Sequence, residues 1–321
     1  MISLYIIALN EEATIGRCID SFRGAFDEVV VALDHRTTDK TQEVAFQHGA
    51  RPYHFNWIDD FSAMRNYAMD RCLGDWLMFA DSDDVLDPES VTLVRDAVEY
   101  ADKHGINTIV ASYYTSYEGS RPTTDNAMPR LTRVGTMRWT GAIHEYQLCD
   151  KTRQIVSNIE VHHRRPPERE VGRSQRNMGI LEKVIPACKP HELPRYTFYY
   201  ARELMFSGHY EEAILWYDKY LPISTWQAEA HRALCDKAEC QYLLGKKWEA
   251  LETLQGAVTL NPAWPDPYVK IGVIYKELGI PAKCKEYMAE ARGRLQNIHP
   301  LFSSGHLLPK LIAIYSGEAE A

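Results

Sequence analysis

Leu77-Met78-Phe79-Ala80-Asp81-Ser82-Asp83-Asp84 is the stretch on which the fold turns. Four apolar residues in a row read as a buried strand, and an acidic cluster follows where the strand opens into a loop. Residues i and i+2 of a strand point the same way. Asp81 and Asp83 therefore converge on one cation if the extended geometry persists through them. Carboxylate oxygens suit hard divalent ions such as Mg²⁺ or Mn²⁺, and Mg²⁺ commonly uses one or two carboxylates plus substrate phosphates. Surface loops are also rich in Asp, so the motif by itself does not make a metal site.

Outward from this strand, residues 1–115 alternate short apolar runs with helical patterns. Ser3–Leu9, Glu28–Leu33, Trp76–Ala80 and Asn107–Tyr113 are strand-like; Glu12–Phe22, Asp39–His48, Asp60–Arg71 and Pro88–Lys103 are helix-like. Thr38 or Asp39 is positioned to cap the second helix. The βαβα order predicts a mostly parallel sheet with helices on both faces. Ligands of such sheets bind beyond the carboxyl ends of the strands. Asn10, Asp34 and Asp81 all fall at or just after predicted strand ends, and this agreement of three segments outweighs any one of them.

From residue 171 onward the pattern is helical and it repeats. Leu204-x3-Gly208-x-Tyr210-x2-Ala213 is matched by Leu244-Gly245-x2-Trp248-x-Ala250 and loosely by Leu278-Gly279-x2-Ala282. A period near 34 residues, with small residues at helix crossings and a closing Asn261-Pro262, is the tetratricopeptide pattern. Small residues let paired helices approach, and the Pro stops the second helix. Three units are about the minimum for a stable stack. The expected division is an α/β domain over 1–168 and a helical repeat domain over 169–321. Gly119–Asp125 reads as a loop, and Arg164-Arg165-Pro166-Pro167-Glu168-Arg169-Glu170 as the boundary.

Composition bounds the partners. The 321 residues are 45% hydrophobic and 25% charged, enough to bury two cores, and the formal net charge is −8. That balance argues against a general polyanion binder and leaves nucleic acid the least favoured partner, with Arg164–Arg173 as a local basic strip. No apolar run reaches the roughly 18 residues needed to span a membrane, and Met1–Leu9 reads as a core strand and not a signal peptide. Seven scattered cysteines without a Cys-x-x-Cys suit a reducing cytoplasm.

Several segments, in order, resemble the family 2 glycosyltransferases of the GT-A fold. They are Ile7-Ala8-Leu9-Asn10-Glu11-Glu12; Val31-Ala32-Leu33-Asp34 through Thr41; Trp57-x2-Asp60-Phe61-Ser62-Ala63-x-Arg65-Asn66; Asp81-Ser82-Asp83; Trp139-x-Gly141-x-Ile143-His144-Glu145; and Val161-His162-His163. The likeness is to the subgroup with C-terminal tetratricopeptide repeats, which includes the sublancin-type bacteriocin peptide S-glycosyltransferases. One departure stands out: His35-Arg36 replaces the usual small-Gly pair, removing a glycine that permits close backbone approach.

The resemblance implies an inverting, metal-dependent transfer from a nucleotide-diphosphate sugar, a UDP-sugar being favoured. It implies Asp83 as the direct ligand of Mn²⁺ or Mg²⁺, Asp81 near ribose or metal with Ser82 between them, and His162 or His163 completing the shell. A strand histidine with a structural hydrogen bond is the equal alternative for that pair. Asn10, Glu12, Asp34, Asp39 and Asn66 are expected at the nucleotide, although Asn10 and Asp39 are also plausible helix caps. Arg65 is expected to grip the diphosphate bidentately; its alternative is a surface salt bridge to Asp59 or Asp70. Glu145 is the candidate general base, with Asp84 and His144 as rivals.

The acceptor is expected to be a peptide or protein side chain, ahead of a glycan, a glycolipid precursor or a modified nucleobase. The repeats are expected to line an acceptor surface or to join two copies as a homodimer. A non-catalytic nucleotide-binding scaffold is the reading from another class; the acidic motif, Arg65-Asn66 and His144-Glu145 oppose it. A nucleotidyltransferase would carry a Gly-rich basic phosphate loop where Asn10-Glu11-Glu12 stands.

Overall fold

The computed structural model describes residues 1–119, 121–165, 172–297 and 307–316. It separates into two compact units, Met1–Glu170 and Val171–Ala321. Of the expected boundary segment, residues 166–170 lie outside the described residues, and with residue 171 they make up most of the basic strip Arg164–Arg173.

The first unit begins β1 (Ile2–Ala8), α1 (Ile15–Ser21), β2 (Glu28–Asp34), α2 (Thr41–Gln47), β3 (Arg51–Phe55), α3 (Phe61–Met69), β4 (Trp76–Asp81), β5 (Asp84–Leu86) and α4 (Ser90–His104). It continues with β6 (Thr108–Glu118), β7 (Arg121–Asp125), β8 (Met128–Arg133), β9 (Met137–Thr140), β10 (Tyr146–Cys149) and β11 (Gln154–His163). Among the described residues the main sheet has nine strands in the order β3-β2-β1-β4-β8-β6-β11-β5, with β7 on β6, while β9 and β10 form a separate ribbon.

β1 to β4 are parallel, with Ile7 opposite both Ala32 and Asp81. Beyond β4 the sheet is mixed: β6 keeps the direction of β1, β2 and β4 and pairs parallel with β11, but other strands run against them. There β8 runs antiparallel to both β4 and β6, and β5 is antiparallel to β11. The segment read as a loop at Gly119–Asp125 instead supplies β7, which pairs back on β6. β3 escapes the sequence pattern because Arg51-Pro52-Tyr53-His54-Phe55 has no apolar run. As the outermost strand it needs only one partner, and an edge tolerates Pro52, which lacks an amide N–H.

Alternation along the strands builds two layers. Leu4, Ile6, Val31, Leu33, Met78 and Ala80 pack against Ile15, Cys18 and Ile19 of α1 and Val94 of α4. Tyr5, Val30, Ala32, Leu77 and Phe79 pack against Met64 and Ala68 of α3 and against Met137 and Trp139 of β9. Asp81 has the parity of Leu77 and Phe79, so it leaves the sheet on the α3 side.

The second unit is helical: α5 (Arg173–Val184), α6 (Leu193–Phe206), α7 (Tyr210–Tyr220), α8 (Gln227–Leu243), α9 (Lys247–Leu260), α10 (Asp266–Glu277), α11 (Pro281–Arg292) and α12 (Leu308–Ser316). The glycines of the repeat are its hairpin turns. Gly208, Gly245 and Gly279 have φ of 81°, 77° and 74°, a region that favours glycine. Each ends the first helix of a pair in the same way. The amides of His209, Lys246 and Ile280 each donate, at 2.9 Å, to the carbonyls of Leu204, Gln241 and Tyr275, and each glycine N–H bonds one turn back. Ala213 and Ala250, five residues past their glycines, are fully buried. In the third pair the corresponding position is Cys284, also buried, and not Ala282, which is exposed.

Candidate active site

Three loops leave the carboxyl ends of β1, β2 and β4, and side chains tie them together. Asn10 Oδ1 accepts from Thr38 N at 2.8 Å, Glu12 Oε2 from Lys40 N at 2.9 Å, and Asp39 Oδ2 from Glu12 N at 3.1 Å. Asn10, Glu12 and Asp39 thus lash the first loop to the second. Asn10 caps no described helix, since α1 begins behind Thr14; α2 begins behind Lys40, so Thr38 is not its cap, whereas Asp39 Oδ1 accepts from Thr41 N, the first amide of α2, at 2.9 Å. Asn10 and His144 are two of the three non-glycine residues with positive φ (54° and 50°) among the described residues. Such backbone strain gathers at functional sites.

Asp34, at the end of β2, is buried, and its carboxylate is occupied by Arg36. Arg36 Nε lies 3.0 Å from Oδ1 and Nη2 2.5 Å from Oδ2, and the Arg36 amide also donates to Oδ1 at 2.9 Å. The guanidinium stands over the Trp57 ring at 5.1 Å. The residue that replaces the family's glycine therefore forms a lid over Asp34.

Arg65, from α3, does not pair with Asp59 or Asp70. Its Nε donates to Glu145 Oε1 at 2.6 Å and its Nη2 to Asp81 Oδ1 at 2.7 Å, joining the candidate base to the acidic motif. The guanidinium packs over Trp139 at 4.8 Å and Phe79 at 5.5 Å. Its buried Nη1 has no hydrogen-bond partner among the described residues. Asn66 serves the same purpose one step away: Nδ2 donates to Trp139 O at 2.9 Å, and Oδ1 accepts from Trp139 N at 3.1 Å. Its amide is spent on fixing β9, which leads to His144 and Glu145.

β4 ends at Asp81, so the extended geometry does not carry through to Asp83. Ser82 and Asp83 form a buried turn, and Asp84 opens β5. Asp83 Oδ1 faces His163 Nδ1 at 3.3 Å and its Oδ2 faces Arg165 Nε at 3.3 Å. Asp84, a rival for general base, is fully buried and ion-paired to Arg130 at 3.0 Å, which unsuits it to meet an acceptor.

His162 and His163 separate, because adjacent strand residues face opposite ways. His163 joins the acidic motif: ligand-type atoms of Asp81, Asp84 and His163 lie within 4.8 Å of one another. His162 instead stands with Asp87 and Glu160, its Nδ1 bonded to the Tyr117 hydroxyl at 3.0 Å. The expectation that either could complete one shell thus narrows to His163. Carboxylates with one imidazole fit Mg²⁺ or Mn²⁺ at the motif.

Electrostatics sort the acids. Burial pushes the Asp81 carboxyl up, but Arg65 foremost, with Arg130 and His163, holds it below the usual carboxylate range. Burial and the charges of Asp81 and Asp84 raise Asp83 against His163 and Arg165. Burial lowers the His163 imidazole, yet its bond to Asp84 and the charges of Asp83, Asp84 and Asp81 bring it above the ordinary value. Four carboxylates, Asp81, Asp83, Asp84 and Glu145, thus share this site with three guanidiniums, Arg65, Arg130 and Arg165, and the His163 imidazole.

Two members of the cluster escape sequence reasoning altogether. Arg130 in β8 is fully buried, and Tyr113 in β6 bonds Asp84 at 3.0 Å. The one available signal is an arginine within Met128–Arg133 next to an apolar neighbour, Leu131.

Residues 3–171 match the family described as Glycosyl transferase family 2. The chain is similar to the SPbeta prophage-derived glycosyltransferase SunS of Bacillus subtilis, 27% identical over 218 residues, covering 65% of this chain and 50% of that one. It spans about half the length of that relative. A TPR repeat-containing protein of Synechococcus elongatus is 37% identical over 98 residues, 30% of this chain and 24% of that one. The crystal structure of S. aureus TarS 1-349 aligns over 91% of each chain at 13% identity with a TM-score of 0.40.

Proposed function

Because this chain belongs to glycosyl transferase family 2, we propose that Glu145 and the Asp81 motif form the two ends of one displacement, with Arg65 fixing the distance between them. Sugar transfer from a nucleoside diphosphate needs a deprotonated nucleophile, a stabilised leaving group and an in-line arrangement of both. Glu145 takes the acceptor's proton as the new bond forms. The anomeric carbon inverts as the bond to the diphosphate oxygen breaks, with no glycosyl-enzyme intermediate.

Asp81 and His163, which offer ligand-type atoms within 4.8 Å of one another, and Asp83, which lies outside that group but faces His163 at 3.3 Å, would hold a divalent ion, which supplies Lewis-acid neutralisation of the departing diphosphate. Asn10, Glu12 and Asp39 position the loops around base and ribose, and the Arg36–Asp34 pair meets the base. Register gives this span a scale. Asp81 and Ala32 flank Ile7, so Asp34 lies two strands away, on the order of 10 Å at ordinary strand spacing. That separation suits a nucleoside diphosphate laid across the strand ends. A UDP-sugar is the favoured donor.

The observation that carries the reading is the pair of bonds from Arg65 to Glu145 and Asp81. For the acceptor, the repeat domain and the resemblance to bacteriocin glycosyltransferases favour a peptide side chain. The test is a thermal-shift panel of UDP, GDP, CDP and dTDP with and without Mn²⁺. Ligand at about 100 times its Kd stabilises by roughly 2.7 kcal/mol, a shift of a few degrees. A Mn²⁺-dependent shift with one nucleotide, lost in Asp83→Asn, is expected; no shift with any nucleotide would sink the reading.

A further inference from the structure

Asp84 sits among the groups that could hold a cation, yet its bonding leaves it no capacity to do so. Its carboxylate is fully buried and receives four donors. The Tyr113 hydroxyl and His163 Nδ1 reach Oδ1 at 3.0 and 3.1 Å, and Asp81 N and Arg130 Nη1 reach Oδ2, each at 3.0 Å. A carboxylate has about four lone-pair sites, so all are used. Nδ1 of His163 faces Asp84 Oδ1, Asp83 Oδ1 and, at 2.9 Å, the Tyr113 hydroxyl oxygen; with the single hydroxyl proton placed on Asp84, all three act as acceptors and Nδ1 carries the proton. Nε2 is then the ring nitrogen with a lone pair to offer.

Arg130 completes the arrangement. It stacks between the rings of Phe79 and Tyr113, with its guanidinium carbon 4.2 and 4.0 Å from their centroids. Nη1 also approaches Phe79 O at 3.3 Å, which fastens Asp84 to the strand that carries Asp81. Its Nε and Nη2 are buried without hydrogen bonds to the described residues. A buried ion pair of this kind seldom adds net stability over apolar packing, so its retention points to placement.

We propose that Asp84 and Arg130 are positioning residues: the pair locks His163 by Nδ1 so that Nε2 is its ligating atom, and Asp84 is itself no ligand. This rests on the metal-dependent reading above. Metal-binding histidines commonly donate their other N–H to a carboxylate that fixes the ring. Here that carboxylate is in turn fixed by a cation that stays protonated.

The test uses the full chain with UDP as the nucleotide. With ¹⁵N-labelled histidine and ¹¹³Cd²⁺, scalar coupling should appear at His163 Nε2. Mn²⁺ affinity, followed by the electron paramagnetic resonance of the free ion, should weaken about 10- to 100-fold in Asp84→Asn and in Arg130→Met, as for other residues that orient a metal ligand. Arg130→Lys, which keeps charge without the fork, should fall between Arg130→Met and wild type, and the double variant should lose no more than the worse single. Coupling at Nδ1, or an Asp84→Asn protein within twofold of wild-type Mn²⁺ affinity, overturns the assignment. The coupling is read on wild-type protein, so a poorly folding variant does not blunt the test. Wild-type protein that takes up neither ion in the presence of UDP defeats the metal reading, and this assignment falls with it.

Discussion

Arg65 donates from Nε to Glu145 Oε1 at 2.6 Å, a bond that spans eighty residues of sequence and brings the carboxylate of one loop to a helix that also holds Asp81. Removing the base without removing this bond is feasible, since a glutamine oxygen still accepts from Nε. Glu145→Gln should lose about 10²- to 10⁴-fold in turnover, the range of general-base contributions, while donor affinity stays within twofold. Single-turnover transfer and nucleotide titration read the two quantities. Wild-type transfer rates in this variant would remove Glu145 as base.

Arg65→Ala strips the shared cation from two partly buried carboxylates. Losing one partner of a buried pair costs about 3–5 kcal/mol; Asp81 keeps a side-chain exposure of 30%, so the lower end is expected. Urea unfolding of the α/β unit should show a loss near 3 kcal/mol, and a loss under about 1 would mean the pair is effectively solvated.

Arg36→Ala uncovers Asp34. A carboxylate freed of its guanidinium and facing N3 of the base accepts the N–H that uracil has there, whereas cytosine N3 bears a lone pair and its N–H donors sit on the exocyclic N4. Hydrogen bonds to charged groups contribute about 1.5–3 kcal/mol. The variant should therefore raise the affinity for UDP relative to CDP by roughly tenfold. Competition titration of the two nucleotides decides it; an unchanged ratio would place the base elsewhere.

Gly245→Ala tests the hairpin turns. No atom lies within 4 Å of the added Cβ, so the cost is confined to the left-handed backbone at φ +77°. About 1–2 kcal/mol is expected, and Gly245→Asn should cost less because Asn tolerates that region. Gly272→Ala behaves differently, because its Cβ would meet Met288 Cε at 2.7 Å, and the outcome depends on whether the methionine moves. Equilibrium melts of the three variants separate strain from crowding.

Asp266, at the start of α10, is buried, and burial pushes its carboxyl from 3.8 up to about 6, with Arg232 and Lys270 only partly opposing. The folded state therefore binds the proton more tightly than the unfolded chain. Stability contributed by the neutral carboxyl is complete below pH 3.8 and declines as pH rises through 6. Asp266→Asn should match wild type near pH 4 and exceed it above pH 6, by an amount on the order of 2 kcal/mol. Parallel melts across that range measure the gap, and a constant difference at all pH values would contradict the shift.

The legible parts of this fold are those where one physical rule acts locally. Leu77–Ala80 has no polar residue to expose, so it is buried, and Gly208, Gly245 and Gly279 mark turns because few other residues adopt their φ. What stays hidden depends on partners distant in sequence. β8 inserts between β4 and β6 by strand pairing that its mixed Met128–Arg133 sequence does not advertise. At the site, Asp81, Glu145 and Arg65 are readable as residue types in a known order, while their shared bonds are not. Arg130 is invisible because an arginine in a strand ordinarily faces water. The separation of His162 from His163 was within reach, since strand alternation alone divides neighbours.

The three hairpin turns share one backbone bond pattern, and each is made by the backbone and a single glycine. Such a joint is interchangeable. A segment cut at equivalent points past Gly245 and Gly279 carries one second helix and the next first helix with matching ends. Duplicating it would lengthen the solenoid by one hairpin, whereas excising it would leave two units, fewer than the roughly three a stable stack needs. Length, in this chain, is a quantity that insertion can vary without inventing a new fold.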